Sequence, residues 1–272
     1  MPLINFVLKD PIDIFPWGTE PDTNIHWFGL TDGDYWLTVG DKTLYEHTRE
    51  IMKTWNISGD RYSDYYIVRF LEDFTELFSV ITESLPEDFY QLARSHDSLY
   101  EHIVKLQAWL EQLPDGEDGD LDPYYDKYEK ITQWIYNRTL TSGHLKYGPA
   151  ISFFRFNDRI TIVWNSGQQD EKGIAVWTAG NGQIEMPYHF FVNEVKGRGE
   201  RFFNSMDSQI DKAFLKDWGT TKIDRNRIKD EQAERKKEFI FDTNQLLTTH
   251  QRSTDWPLAR DIFRQIWFGT IK

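Results

Sequence analysis

The residues with the clearest potential for chemistry are the carboxylates between residues 115 and 129. Carboxylates take the ligand positions 1, 3, 5, 9 and 12 of a calcium-binding loop, namely Asp118, Asp120, Asp122, Asp126 and Glu129. Position 6 of such a loop needs a positive φ, but Pro123 stands there and its ring locks φ at a negative value. We therefore expect a solvated acidic loop without a specific calcium ion, and we assign no metal ligand.

No motif in the chain supports covalent, phosphate-binding or metal-assisted catalysis. Cysteine is absent, so thiolate nucleophiles and Cys-type metal sites are excluded. His96 and His102 would lie on opposite sides of a helix, and Ser166 lacks the Gly-x-Ser-x-Gly elbow. We assign no catalytic residue and expect no cofactor. One enzymatic alternative stays open, a hydrolytic enzyme whose carboxylate pair is brought together only by the fold.

The charge of the chain is unevenly distributed. The net charge of the 272 residues is −13, and residues 1–148 carry −15 whereas residues 149–272 carry +2. An acidic segment repels phosphate backbones, so we expect no nucleic-acid partner. A partner protein with a basic surface is the natural complement, and a surface that serves only solubility is the alternative.

Aromatic side chains are crowded into the acidic part, at Trp17, Trp27, Tyr35 and Trp36. Tyr and Trp beside acidic residues are typical anchors of protein interfaces. Packing in an aromatic-rich core is the alternative for each of them.

The first element predicted from the pattern is a β-hairpin. Residues 24–30 and 35–39 are rich in aromatic and β-branched residues, and the Asp-Gly pair at Asp32 and Gly33 is typical of a turn. Asp32 and Asp34 would then lie at the hairpin tip and project into solvent.

The remaining pattern predicts a helical middle, an antiparallel meander and C-terminal helices. Apolar spacings of three and four predict helices near residues 64–81, 87–113 and 124–140. A period of two then predicts strands at 151–156, 160–164 and 174–177, with Trp164 and Trp177 in the core.

Further helices are predicted after Pro187, with a kink or weak point at Gly197 and Gly199, over residues 224–247 and from Asp255 onward. The expected fold class is α+β in a single domain over residues 1–272, with a possible subdivision into 1–148 and 149–272. No apolar stretch is long enough to cross a membrane and no export signal is visible, so we expect a cytoplasmic protein without a membrane partner.

The chain resembles a bacterial family of unknown function. The likeness extends from residue 10 to about residue 214, and its most specific part is the rare run Trp-Phe-Gly-Leu-Thr-Asp-Gly at residues 27–33. Further matching residues are Pro16-Trp17-Gly18, Tyr35-Trp36, residues 149–155, residues 158–164 and Val176-Trp177.

Acidic bacterial proteins of this kind, which lack catalytic motifs, resemble the immunity proteins of polymorphic toxin systems, which bind a cognate toxin and block it. This resemblance implies that the chain neutralises a toxin with a basic surface. The expected partner-binding residues are Asp32, Asp34, Tyr35, Asp115, Glu117, Asp118, Asp120 and Asp122. The toxin, the oligomeric state and the role of the charged helix 224–247 are left open.

Overall fold

The computed structural model describes residues 3–111, 122–248 and 254–268. Its strands are β1 (Ile4–Leu8), β2 (Asn24–Ile25), β3 (Asp32–Val39), β4 (Lys42–Leu44), β5 (Ser63–Tyr66), β6 (Thr139–Thr141), β7 (Ala150–Phe156), β8 (Arg159–Asn165), β9 (Gly182–Pro187) and β10 (Lys222–Ile223). Its helices are α1 (Arg49–Trp55), α2 (Ile67–Thr75), α3 (Phe78–Ile81), α4 (Glu87–Ala93), α5 (His96–Glu111), α6 (Asp122–Tyr136), α7 (Tyr188–Leu215), α8 (Arg225–Gln245) and α9 (Trp256–Phe268). The α+β fold class is therefore confirmed.

The N-terminal sheet is built around β3, which pairs antiparallel with β1, β4 and β5. An N-terminal hairpin exists, but its strands are β3 and β4 and its turn is formed by Gly40 and Asp41. The predicted turn at Asp32 to Asp34 is wrong, because these residues begin β3 and are paired on both sides.

Gly33 explains why the Asp-Gly pair misled the prediction. A Cβ atom at Gly33 would lie 2.2 Å from the carbonyl oxygen of Val7 and 2.9 Å from Cδ1 of Ile67. Glycine is needed here because two neighbours approach the backbone of β3 closely, and not because a turn demands positive φ.

The second sheet is a four-stranded antiparallel meander in the order β6-β7-β8-β9. The meander is confirmed, although its third predicted strand at residues 174–177 is wrong. That segment makes isolated bridges at Ala175 and Trp177, and β9 pairs with β8 in its place. Trp164 and Trp177 are buried as expected.

Two of the predicted helices in the middle are interrupted. The stretch 64–81 forms β5 followed by the short helices α2 and α3, and the stretch 87–113 forms α4 and α5. The Gly197 and Gly199 positions, where the pattern predicts a weak point, lie inside the continuous helix α7. Gly199 instead permits close packing, because a Cβ there would meet the ring of Phe239 on α8.

Two hydrophobic clusters fill the interior. The first lies beneath the N-terminal sheet and joins it to α2, α7 and α8, with Tyr35, Phe70 and Phe202 among its fully buried residues. The second packs α4, α5, α6 and α9 against the meander and is centred on Trp134 and Phe154. The first cluster contains side chains from the acidic residues 1–148 and from residues 149–272. The single-domain organisation stays a prediction.

No helix within the described ranges combines the length and apolarity that a membrane crossing requires.

Candidate protein-binding surface

The outward face of the N-terminal sheet carries the predicted acidic residues. Alternation along β3 turns Tyr35 inward and Asp32 and Asp34 outward. The register places Asp34 directly opposite Asp64 of β5, and Asp32 opposite Tyr66. Two carboxylates thus face each other across neighbouring strands, an arrangement that is destabilising unless a cation intervenes.

Lys9 neutralises only part of this charge. Its Nζ atom lies 2.6 Å from Asp64 Oδ1 and 3.1 Å from Asp32 Oδ1. Within the described residues, no cationic side chain comes within ion-pair distance of Asp34. Burial, together with the carboxylates of Asp64 and Asp60, raises the pKa of Asp34 to about 6. We name Lys9, Asp32, Asp34, Asp60 and Asp64 the acidic face.

An aromatic cluster adjoins the acidic face through Tyr66. Its ring centroid lies 4.8 Å from Phe28 and 5.5 Å from Trp17, which in turn packs edge-on against His26. The indole Nε1 of Trp17 donates a hydrogen bond of 3.1 Å to the Tyr66 hydroxyl. These contacts hold the rings in place before any partner arrives.

Exposed apolar side chains also occur along residues 7–17, of which Val7 is opposite Asp34 in the sheet register and Trp17 belongs to the aromatic cluster. Ile12 is 73% exposed and Phe15 is 84% exposed, and more than two fifths of Val7 and Trp17 is accessible. Large apolar side chains grouped in this way mark interaction sites more often than solitary exposed residues do.

The structure places the sequence-predicted site residues in different environments. Asp32 and Asp34 are partly accessible on the acidic face, but the strand position replaces the expected hairpin tip. Tyr35 is fully buried, because β3 turns it toward the core, and its hydroxyl lies 3.0 Å from Nε2 of His144. Its expected place on an accessible surface is therefore wrong.

The second predicted acidic region cannot be compared in the same way. Four of its residues lie outside the described residues, namely Asp115, Glu117, Asp118 and Asp120. The backbone of Asp122 begins α6. Their role in partner binding stays a prediction.

Several residues of this surface were not selected from the sequence. Lys9, Asp60 and Asp64 join it through pairing of β3 with β1 and β5, which are far apart along the chain. Burial alternates strictly along residues 32–39 in the structure, but the sequence does not show this, because Tyr35, Trp36 and Leu37 follow one another without a polar residue between them.

The acidic face can bind cationic groups. Asp34 and Asp64 form a carboxylate pair on the outward side of a sheet. Among the residues that the structure describes, no group of three or more His, Asp or Glu side chains is arranged to hold a metal ion.

Comparison with known proteins gives one match. The model of a family of unknown function, DUF5984, matches residues 3–262. Searches of curated proteins and of solved structures found no match. Because the family model spans nearly the whole chain, the protein belongs to the DUF5984 family, whose function is unknown.

Proposed function

We propose that this protein is an immunity-type inhibitor that binds a cognate bacterial toxin and occludes it. The observation that carries the proposal is the acidic face, whose charge Lys9 neutralises only in part and which lies beside a prepacked aromatic cluster and exposed apolar residues. In this proposal the protein acts in the cytoplasm by steric and electrostatic occlusion and performs no chemistry.

The two parts of the surface would make different contributions to binding. Carboxylates without counter-charges attract a basic partner at long range and so increase the association rate. Buried aromatic anchors slow dissociation, and a true hot spot contributes about 2 kcal/mol or more on truncation to alanine. Trp17 is the expected anchor, because it is accessible and packs on Tyr66 beside the acidic face, and Phe15 is a second because it is 84% exposed two residues away in the chain.

Co-expression tests the proposal directly. The protein encoded immediately upstream is produced in a bacterial host with and without this chain, and growth is recorded. The proposal expects toxicity that this chain relieves. A harmless neighbour, or toxicity that persists, would contradict it.

Association kinetics test the assigned surface. Asp34→Lys combined with Asp60→Lys leaves both Lys9 ion pairs intact, and should slow association with the partner and flatten its salt dependence. Asp97→Lys combined with Glu171→Lys makes the same charge change at exposed positions away from the acidic face and is the control. Equal rates in the two double variants would place the interface elsewhere, with residues 115–122 as the next candidate.

A hydrolytic enzyme is the second candidate, since the raised pKa of Asp34 beside Asp64 is typical of a carboxylate acid. This alternative expects substrate turnover without any protein partner. The rate should change with pH near pH 6, and Asp34→Asn should abolish the turnover. The position of the pair on an open sheet face favours binding over catalysis, because substrate sites are usually concave.

A further inference from the structure

Arg198 lies in the first hydrophobic core without any polar partner. It is on α7, and none of its side-chain surface is accessible. None of its three guanidinium nitrogens makes a hydrogen bond, and in the described part of the chain no carboxylate lies within ion-pair distance of it. A charged group this deeply buried normally has a counter-charge.

The surrounding side chains do not supply that counter-charge. The guanidinium carbon lies 4.7 Å from the ring centroid of Phe70, a cation–π contact that compensates only part of the lost hydration. The hydroxyls of Tyr35 and Tyr45 are near enough to influence the Arg198 charge. They are engaged elsewhere, with His144 and Ser142 respectively.

A second unsatisfied polar atom belongs to the same core region. The Oγ atom of Ser63 is buried without a hydrogen-bond partner. Ser63 is paired with Tyr35 in the register of β5 and β3, so both side chains are on the inward face of the sheet. Ser63 is thus opposite Tyr35 in the sheet register, and the charge of Arg198 acts on the hydroxyl of the same tyrosine.

A bound anion accounts for both features. Arginine does not release its proton at physiological pH, so the residue cannot avoid the cost of burial by becoming neutral. Buried water could satisfy the N–H groups but would not supply an opposite charge. A small anion supplies both the charge and the acceptor.

We propose that the Arg198 guanidinium holds a small monovalent inorganic anion of the halide class inside the first core, with the Ser63 hydroxyl as a further donor. We choose the halide class because a single-atom anion needs the least space beside a guanidinium that is fully buried against Phe70. Burial lowers the pKa of Arg198 to about 9, as expected for a cation whose partner is missing. This site is independent of the outer surface and of the proposed toxin binding.

Crystallography with bromide tests the site on the unmodified full chain. Crystals are soaked in sodium bromide, and anomalous differences are measured at the bromine absorption edge. The proposal expects an anomalous peak within about 3.5 Å of the Arg198 guanidinium. Ordered water without an anomalous peak at that position would overturn it.

Thermal unfolding tests the same site in solution. The sodium concentration and ionic strength are held constant while gluconate is replaced by chloride. Each tenfold rise in chloride above the dissociation constant should raise the Tm by about 3–5 °C. Arg198→Met should abolish this chloride dependence, and Ser63→Ala should shift it to several-fold higher chloride concentrations.

Arg264→Met is the matched control, because it makes the same substitution at an exposed position on α9, outside the first core. It should retain the full chloride dependence. A Tm that does not respond to chloride, or a response that survives in Arg198→Met, would also overturn the proposal.

Discussion

The two hydrophobic cores each bury one arginine completely, and they treat the charge in opposite ways. In the second core, Arg138 donates to the carboxylate of Glu83 and to the carbonyl oxygen of Trp134. The same carboxylate accepts from the backbone N–H of Thr254 and from the indole of Trp256, at 2.9 Å each. In the first core, Arg198 has no such partner.

The surfaces above the two cores repeat this difference. Arg260 of α9 forms a two-pronged pair with Asp88, with distances of 2.6 and 2.9 Å. On the acidic face, Asp34 has another carboxylate opposite it. The first core and the N-terminal sheet above it thus contain charges that reduce stability, whereas the second core pairs its charges. Proteins tolerate such costs mainly where a site requires them, so the contrast favours the N-terminal region as the functional one.

The largest effect is expected from breaking the pair in the second core. Glu83→Ala leaves the Arg138 charge buried and removes the acceptors that hold the start of α9. The free energy of unfolding should fall by about 3–5 kcal/mol, measured by urea denaturation. Asp88→Asn is the control, because it weakens the exposed Asp88–Arg260 pair, which also connects to α9, and should cost about 1 kcal/mol or less.

A double variant sharpens the interpretation of this loss. Arg138→Met added to Glu83→Ala removes the uncompensated charge and should recover part of the stability. If the double variant were less stable than Glu83→Ala alone, the charge of Arg138 would not be the cause of the loss.

His102 provides a second, pH-dependent test in the second core. It is buried against Trp134, Phe263 and Trp267, and its Nε2 atom has no hydrogen-bond partner. Burial, with a smaller effect of Lys105, lowers its pKa to about 4. Unlike Arg198, this side chain avoids an unpaired buried charge by remaining neutral.

The sign of the His102 effect follows from its pKa, which is lower in the folded than in the unfolded state. Its contribution is complete above the unfolded pKa of about 6.5 and is lost as pH falls toward 4. The loss should reach about 3 kcal/mol between pH 7 and pH 4. His102→Leu should lack this component in urea unfolding, with His189→Leu at an exposed position as the control. An unchanged pH dependence in His102→Leu would show that His102 is hydrated in the folded protein.

Local patterns were sufficient to predict much of the fold. The period of two in residues 151–156 and 160–164 and the apolar spacing of α7 predicted those elements, because each buries one side against the core. Helix α8 was predicted as a charged helix, in which Glu231 and Arg235 are four residues apart. The errors occurred where long-range packing decided the outcome. Gly33 lies on β3 where neighbouring atoms approach its backbone closely. The place beside β8 that was predicted for residues 174–177 is taken by β9.

The candidate site was harder to predict from the sequence than the fold was. Asp34 was selected for its charge, but its importance depends on Asp64, which lies opposite only because β3 and β5 pair. Arg198 stands in a short Gly-Arg-Gly run, and nothing local indicates that it is buried without a partner. Relationships between distant residues therefore define both the acidic face and the inferred anion site.

The smallest effect on stability is expected for Asp34→Asn. Unlike Glu83→Ala, this variant should raise the free energy of unfolding. The pKa of Asp34 is higher in the folded state, at about 6, than its ordinary value of 3.8. Its unfavourable contribution is therefore absent below about pH 4, appears as pH rises toward 6 and is complete at pH 7. Because the side chain is partly exposed, solvent screening reduces the effect to about 1 kcal/mol.

Asp34→Asn should thus increase the free energy of unfolding by about 1 kcal/mol at pH 7 and leave it unchanged at pH 4, measured by urea denaturation. Asp41→Asn in the exposed hairpin turn is the control and should have no such effect. If the acidic face binds a basic partner, the same Asp34→Asn protein should associate with it more slowly. A gain in stability together with a loss of binding would identify Asp34 as a residue retained for function, whereas a loss of stability at pH 7 would mean that the folded protein already neutralises its charge.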